Sequence, residues 1–310
     1  MGVFVFLPLV LPLTALPIAR LAEQHLHPRS AALLLTSVTV VLAACSTFCL
    51  GLLMVVGTAQ LPGNPLPDSW SDPEVRGAVP YDEVAGKTAI VALTVVVVAC
   101  ALTVRRHIRF RSRAHGALAG LPPDEPAVLD DELPYAYALP GSPGRVVVST
   151  GMLSCLNEGE REALLAHERA HLTGRHHRLL LAVRLAGCAN PFLRPLRAAV
   201  TFSTERWADE AAAQATGDRR TTARAVGKAA LFSGPGAPPG LASFAAAGPV
   251  PRRVAALLGP VPPRRSWPPA LTRAGIAAYF AAAGTAASTV SALNAASALF
   301  LVLEAAAAPL

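Results

Sequence analysis

Three stretches of this 310-residue chain, residues 3–19, 31–57 and 88–104, contain no aspartate, glutamate, lysine or arginine. Each is long enough to cross a hydrocarbon core of roughly 30 Å as a helix. With 53% hydrophobic residues and a mean hydropathy of +0.44, the chain reads as a membrane protein carrying one modest soluble unit, not as two soluble domains. The absence of ionisable groups from these stretches leaves no proton or ion route, which argues against a transporter or channel. Cysteine is scarce as well. Cys45, Cys49 and Cys100 fall in the apolar stretches, Cys155 and Cys188 outside them, and no CxxC pair occurs, which excludes a disulfide framework and a cysteine zinc site. Neither helix-turn-helix nor zinc-finger spacing is present, so no nucleic-acid partner is expected despite a net charge of +7.

The first apolar stretch lacks a basic leader and carries Pro8, Pro12 and Pro17, so it reads as a retained, kinked span and not a signal peptide. A fourth span is expected over about 274–303, with Glu304 at its far end. Residues 179–201 are also apolar, but Arg184, Arg194, Arg197, Pro191 and Pro195 would be costly in lipid. A helix pair lying against the membrane or inside the soluble unit is expected there.

Arginine placement sets the orientation. Arg105, Arg106, Arg109, Arg111 and Arg113 follow the third span, and Arg252, Arg253, Arg264, Arg265 and Arg273 precede the fourth. Both ends of the soluble unit are then cytoplasmic, whereas loop 58–87, rich in acids, is external. These membrane-flanking arginines account for most of the positive charge. The expected organisation is three spans in 1–104 (about 3–19, 31–57 and 88–104), a cytoplasmic unit at 105–273, and a fourth span with a short tail at 274–310.

Within the soluble unit, residues 116–135 are rich in proline and acids and read as a linker. The following segment, YAYALPGSPGRVVVSTGML, reads as a hairpin with an edge that could pair with an extended peptide. The chemistry is concentrated in AHERAH, residues 166–171. His167 and His171 stand four apart, on one face of a helix, close enough to share a metal ion, and Glu168 beside them can reach a metal-bound water as general base. Asn157 followed by Glu160 reads as a capping box that opens this helix. In ERWAD, Glu205 and Asp209 are again four apart, so one carboxylate can bind the metal while the other orients a ligand histidine. An oxyanion-stabilising donor is not singled out among His176, His177 and Arg206; for the two histidines a solvated surface position is the favoured reading.

In this order, the hairpin, NEGEREALLAHERAH and ERWADEAA resemble the integral-membrane gluzincin metallopeptidases. The ALPG turn and both motifs are similar to the HtpX-like and prenyl-protein endopeptidases, whereas the placing of the unit between a third and a fourth span resembles the BlaR/MecR-type sensor-transducers. The resemblance implies a mainly α fold, with multi-span membrane helices and a small α+β gluzincin-like zinc peptidase domain. It implies one Zn2+ per chain held by His167, His171 and Glu205, Glu168 as base, and Asp209 supporting a ligand. The activity it implies is zinc-dependent endopeptidase action on cytoplasmic or membrane-proximal proteins at the bacterial inner membrane, with the bilayer as a further partner. That action is either regulatory cleavage of a repressor or HtpX-like quality control. A non-catalytic scaffold is disfavoured because Glu168 is retained. Substrate identity, activating signal and oligomeric state are not legible.

Overall fold

The structure, a computed structural model, describes residues 2–71, 73–77, 79, 81–118, 120, 126–232, 249–262 and 269–307. The chain opens with helical turns at Gly2–Val5, α1 (Leu7–Val10) and Leu11–Ala15, which run into α2 (Leu16–His25). Pro8, Pro12 and Pro17 each sit in the first turn of one of these pieces, where a backbone N–H has no helical partner to lose. The prolines thus divide the first span into short helices without leaving broken hydrogen bonds. There follow α3 (Pro28–Ala59), α4 (Pro73–Gly77) and α5 (Asp82–Ala117), and the described chain closes with α12 (Arg273–Ala307).

Among the described residues, four helical segments are long and apolar enough to cross a membrane: Gly2–His25, Pro28–Ala59, Glu83–Ala117 and Arg273–Ala306. Each outruns the uncharged stretch seen in the sequence, because the helices continue into their polar flanks. α3 and α5 approach closely where Gly57 meets Gly86; a Cβ on either would collide with the other's backbone.

Between α5 and α12 stand three strands and the remaining helices. Strands β1 (Ala127–Leu129), β2 (Ala136–Leu139) and β3 (Arg145–Ser149) form a sheet of order β1-β3-β2, in which β3 is antiparallel to β2 and parallel to β1. The expected hairpin is β2–β3. The linker reading of 116–135 needs correction, since β1 lies inside it; three residues are too few to show an alternating pattern, and only pairing to β3 makes them a strand. Residues 119 and 121–125 of that segment lie outside the described residues, as do Arg264 and Arg265.

After the sheet come α6 (Thr150–Cys155), α7 (Glu158–Thr173), α8 (His176–Ala189), α9 (Leu196–Thr216), α10 (Arg219–Phe232) and α11 (Val250–Leu258). Leu156, Ala163 and Leu164 pack with Ala223, Val226 and Ala229 of α10 and Leu257 of α11 to form one core beside the sheet. A second core joins this unit to the spans. Val183 of α8, Leu193 of the turn that follows it, and Leu196 and Val200 of α9 are buried against Ile18 and Ala22 of α2, Leu35 and Leu42 of α3, and Ala278 of α12.

The α8–α9 pair is therefore a helical hairpin wedged among the spans. Its tip carries Asn190, whose side-chain amide donates to the backbone oxygen of Leu9 and to Ser46 Oγ, past the middle of α3, both at 3.0 Å. These bonds satisfy a buried polar group at a depth where water is scarce. Polar ties fix the other end. Arg111 at the end of α5 donates to the Pro140 carbonyl at 2.9 Å, Arg252 pairs with Glu23 at 2.8 Å, and the Arg29 guanidinium lies over the Trp207 ring at 5.4 Å.

Candidate metal centre

The capping box opens α7 in both directions. Asn157 Oδ1 accepts from the Glu160 backbone N–H at 2.9 Å and Glu160 Oε2 accepts from the Asn157 backbone N–H at 3.0 Å. Glu160 is buried and also faces Lys228 Nζ at 2.7 Å, which ties the start of α7 to α10. From this start, two and three turns along the helix, His167, Glu168 and His171 are all carried into the interior, at 0%, 0% and 5% exposure. The helix stops at Gly174, and Arg175, at a φ of 49°, turns the chain into α8.

α9 crosses α7 and brings Glu205 and Asp209 to the histidines, both fully buried. One ligand atom each from His167, His171 and Glu205 lies within 4.8 Å of the other two. The Nε2 atoms of His167 and His171 are 3.0 Å apart, and the two Glu205 oxygens lie 3.5 Å from them, one against each ring. Neither Glu205 oxygen has a hydrogen bond of normal geometry among the described residues, although Oε2 faces Arg253 Nη1 as an ion pair at 3.2 Å. Two imidazole nitrogens and a carboxylate converging in a buried place form a donor set that fits a tetrahedral cation with one open position.

Each imidazole is oriented through its other nitrogen. Asp209 Oδ1 stands 3.1 Å from His167 Nδ1, and His176 Nδ1 stands 2.8 Å from His171 Nδ1. Such contacts fix ring orientation and leave Nε2 facing the ligand position. Burial lowers His171 well below its ordinary pKa, with His167, His176 and Arg253 acting in the same sense against the pull of Glu205, whereas for His167 burial is overcome by the Asp209 and Glu205 carboxylates, which raise it to about 9. Burial likewise brings His176 down to about 3.

Glu168 points its carboxylate beside the group. Neither oxygen has a hydrogen bond of normal geometry among the described residues, and the Ala138 amide of β2 is close enough to favour the charged form. Burial nevertheless pushes its carboxyl up to about 8, with the Glu205 charge adding to the rise and His167 and Arg253 opposing it. A carboxyl poised near neutrality is suited to take up and return a proton.

Two residues of the site differ from their sequence-based reading. Arg253, expected to flank the membrane, is completely buried: its Nη2 and Nε reach the two Asp209 oxygens at 2.6 and 2.9 Å, and Nη1 lies 3.2 Å from Glu205 Oε2. No spacing rule links α11 to ERWAD, so nothing in the sequence distinguishes Arg253 from Arg252 beside it. His176, expected on a solvated surface, is 1% exposed and packs against Trp207, the rings tilted by 52° with centroids 4.5 Å apart. Its signal was Gly174, where a Cβ would run into the His176 ring, so glycine is what lets α8 fold back onto the ligand histidines. Arg206 is directed to Glu210, 3.0 Å away, and His177 is half-buried.

Comparison with known proteins bears on this arrangement. Residues 103–193, from the end of α5 through α8, match Peptidase family M48. A 59-residue stretch is 39% identical to the protease HtpX homolog of Acidiphilium cryptum (strain JF-5), covering 18% of this chain and 21% of that protein. The chain thus spans about a fifth of the length of this curated relative. No solved structure matches the chain. Over the segment that carries the sheet and the AHERAH helix, this protein resembles the HtpX-like membrane metallopeptidases of family M48.

Proposed function

We propose that this chain is a membrane-embedded zinc-dependent endopeptidase in which His167, His171 and Glu205 hold one Zn2+ and Glu168 is the general base. The observation that carries the reading is the buried His167–His171–Glu205 group, with the unbonded Glu168 carboxylate next to it. Bound there, zinc would polarise a scissile carbonyl and bring the pKa of a bound water toward about 7. Glu168 would take that water's proton and return it to the departing amine, while Asp209 and His176 keep the two rings aimed. Arg253 balances the charges of Glu205 and Asp209 from behind. β2 is an edge strand, with Ala138 beside Glu168, so an extended substrate segment could pair along it and bring its peptide bond to the metal.

The soluble unit, about 105–273, would face the cytoplasm of a bacterial cell from the inner membrane and act on cytoplasmic or membrane-proximal proteins. General proteolysis of damaged membrane proteins is favoured over repressor cleavage by the similarity to an HtpX homolog. The test is cleavage of an unfolded reporter by the purified full-length protein. Chelator-sensitive, zinc-restored cleavage is expected, reduced about 10²–10⁴-fold or more in Glu168→Ala with zinc still bound. A protein that holds no zinc when purified and reloaded would overturn the reading.

A further inference from the structure

Where α5 leaves the spans, it faces the α8–α9 hairpin across a cavity of about 580 Å3. Arg106, His107, Arg184, Arg194 and Arg197 line it, and none of its lining residues is a carboxylate. Among the described residues, no aspartate or glutamate forms an ion pair with any of these four arginines. Gathering like charges in one cleft is unfavourable unless an anion joins them. We propose that this cavity binds the phosphate headgroup of an anionic phospholipid, gripped by Arg106, Arg184, Arg194 and Arg197.

The cavity is built as a site. Arg194 is pinned by its Nε, which donates to the Gly187 carbonyl at 3.2 Å, and a side chain at position 187 would press on the Arg194 Cγ at 3.3 Å. Arg184 is half-buried; burial, and then the charge of Arg197, hold its guanidinium below its ordinary pKa. A bound phosphate would relieve both. Planar guanidinium forks match phosphate oxygens in pairs, which lysines would not do.

Position selects a lipid as the source of the phosphate. The α5 wall of the cavity begins at Thr103, in the last turn of the uncharged run 88–104, and continues through Arg106, His107 and Phe110. The cavity thus opens where the uncharged run of α5 gives way to arginines, the level at which acyl chains give way to headgroups. The hairpin supplies the opposite wall while its tip bonds to Ser46 among the spans. Arg197 and Glu205 share α9 eight residues apart, about 12 Å along a rigid helix, so a lipid held here would anchor the helix that carries the candidate third ligand.

The experiment is native mass spectrometry of the full-length protein in a neutral detergent, titrated separately with phosphatidylglycerol, phosphatidylcholine, an acidic peptide and inorganic phosphate. Retention of phosphatidylglycerol over phosphatidylcholine is expected, weakened about tenfold in Arg184→Gln/Arg197→Gln, the size of one lost charged hydrogen bond. Arg109→Gln/Arg113→Gln, which alters exposed arginines of α5 outside the cavity, should bind as the parent does. Arg197 is exposed, so Arg197→Gln alone serves if the double variant fails to fold. Equal weakening in the two pairs would mean diffuse surface attraction and overturn the proposal. So would displacement of the lipid by equimolar inorganic phosphate, or binding of an acidic peptide in place of the lipid.

Discussion

Among the described residues Arg253 is the guanidinium paired with both carboxylates of ERWAD, and its removal would leave Glu205 and Asp209 buried without that counter-charge. Arg253→Gln is expected to cost roughly 3–5 kcal/mol, the range for breaking a buried ion pair from one side, read as a lower Tm of the purified protein. Arg253→Lys keeps the charge but not the two-pronged contact with Asp209, and should recover only part of the loss. His176 acts differently, since it touches a ligand ring and no carboxylate. His176→Ala should weaken zinc binding by about 10–100-fold in competition with a chromophoric chelator, whereas Glu168→Ala should not. Equal zinc affinities for parent and His176→Ala would remove His176 from the site.

At the scale of elements, the start of α7 depends on a carboxylate whose ionisation is linked to folding. Burial acts to raise the Glu160 pKa, but the Lys228 and Asn157 hydrogen bonds and the Lys228 and Arg224 charges outweigh it and hold it below 4.5. The unfolded chain therefore binds the proton first, and the stabilisation is complete above about pH 4.5 and lost as pH falls through the lower folded value. A plot of Tm against pH should fall less steeply below 4.5 for Glu160→Gln than for the parent. The contact between α3 and α5 makes a second demand. Gly57→Val would push apart backbones that now touch, and should lower Tm more than Gly51→Val on the same helix, where a Cβ meets nothing.

The chain announces those features that are local or periodic. The uncharged stretches, the Asn157–Glu160 cap, the β2–β3 hairpin and the four-residue spacings of AHERAH and ERWAD are each written within one or two helical turns or along one strand. What it hides is distant and aperiodic: β1 is too short to show alternation, Arg253 reaches ERWAD from another helix, and His176 arrives only because α8 folds back at Gly174. The 179–201 segment shows the same limit. Its arginines weigh against lipid, but only the tertiary structure has them line a shared cavity while Asn190 finds partners among the spans.

For the whole molecule, α3 meets α5 at Gly57 and Gly86 near its last turn and packs on α8 and α9 along its first half, so the described part of 58–87 and the candidate metal centre lie toward opposite ends of α3. Tyr81 and Leu231 are strongly exposed at these two ends, at 85% and 83%. In a background with the five cysteines replaced, an impermeant maleimide added to intact cells should label Tyr81→Cys and spare Leu231→Cys until lysis. The opposite pattern would reverse the proposed orientation. The core shared by α8, α9 and the spans also bears on how such a protein can be handled. Cut away at residues 105 and 273, the fragment would turn Val183, Leu193, Leu196 and Val200 out to water as one continuous apolar face. That face would drive such a fragment to aggregate, and the soluble unit would be available for study only with its membrane-spanning helices attached.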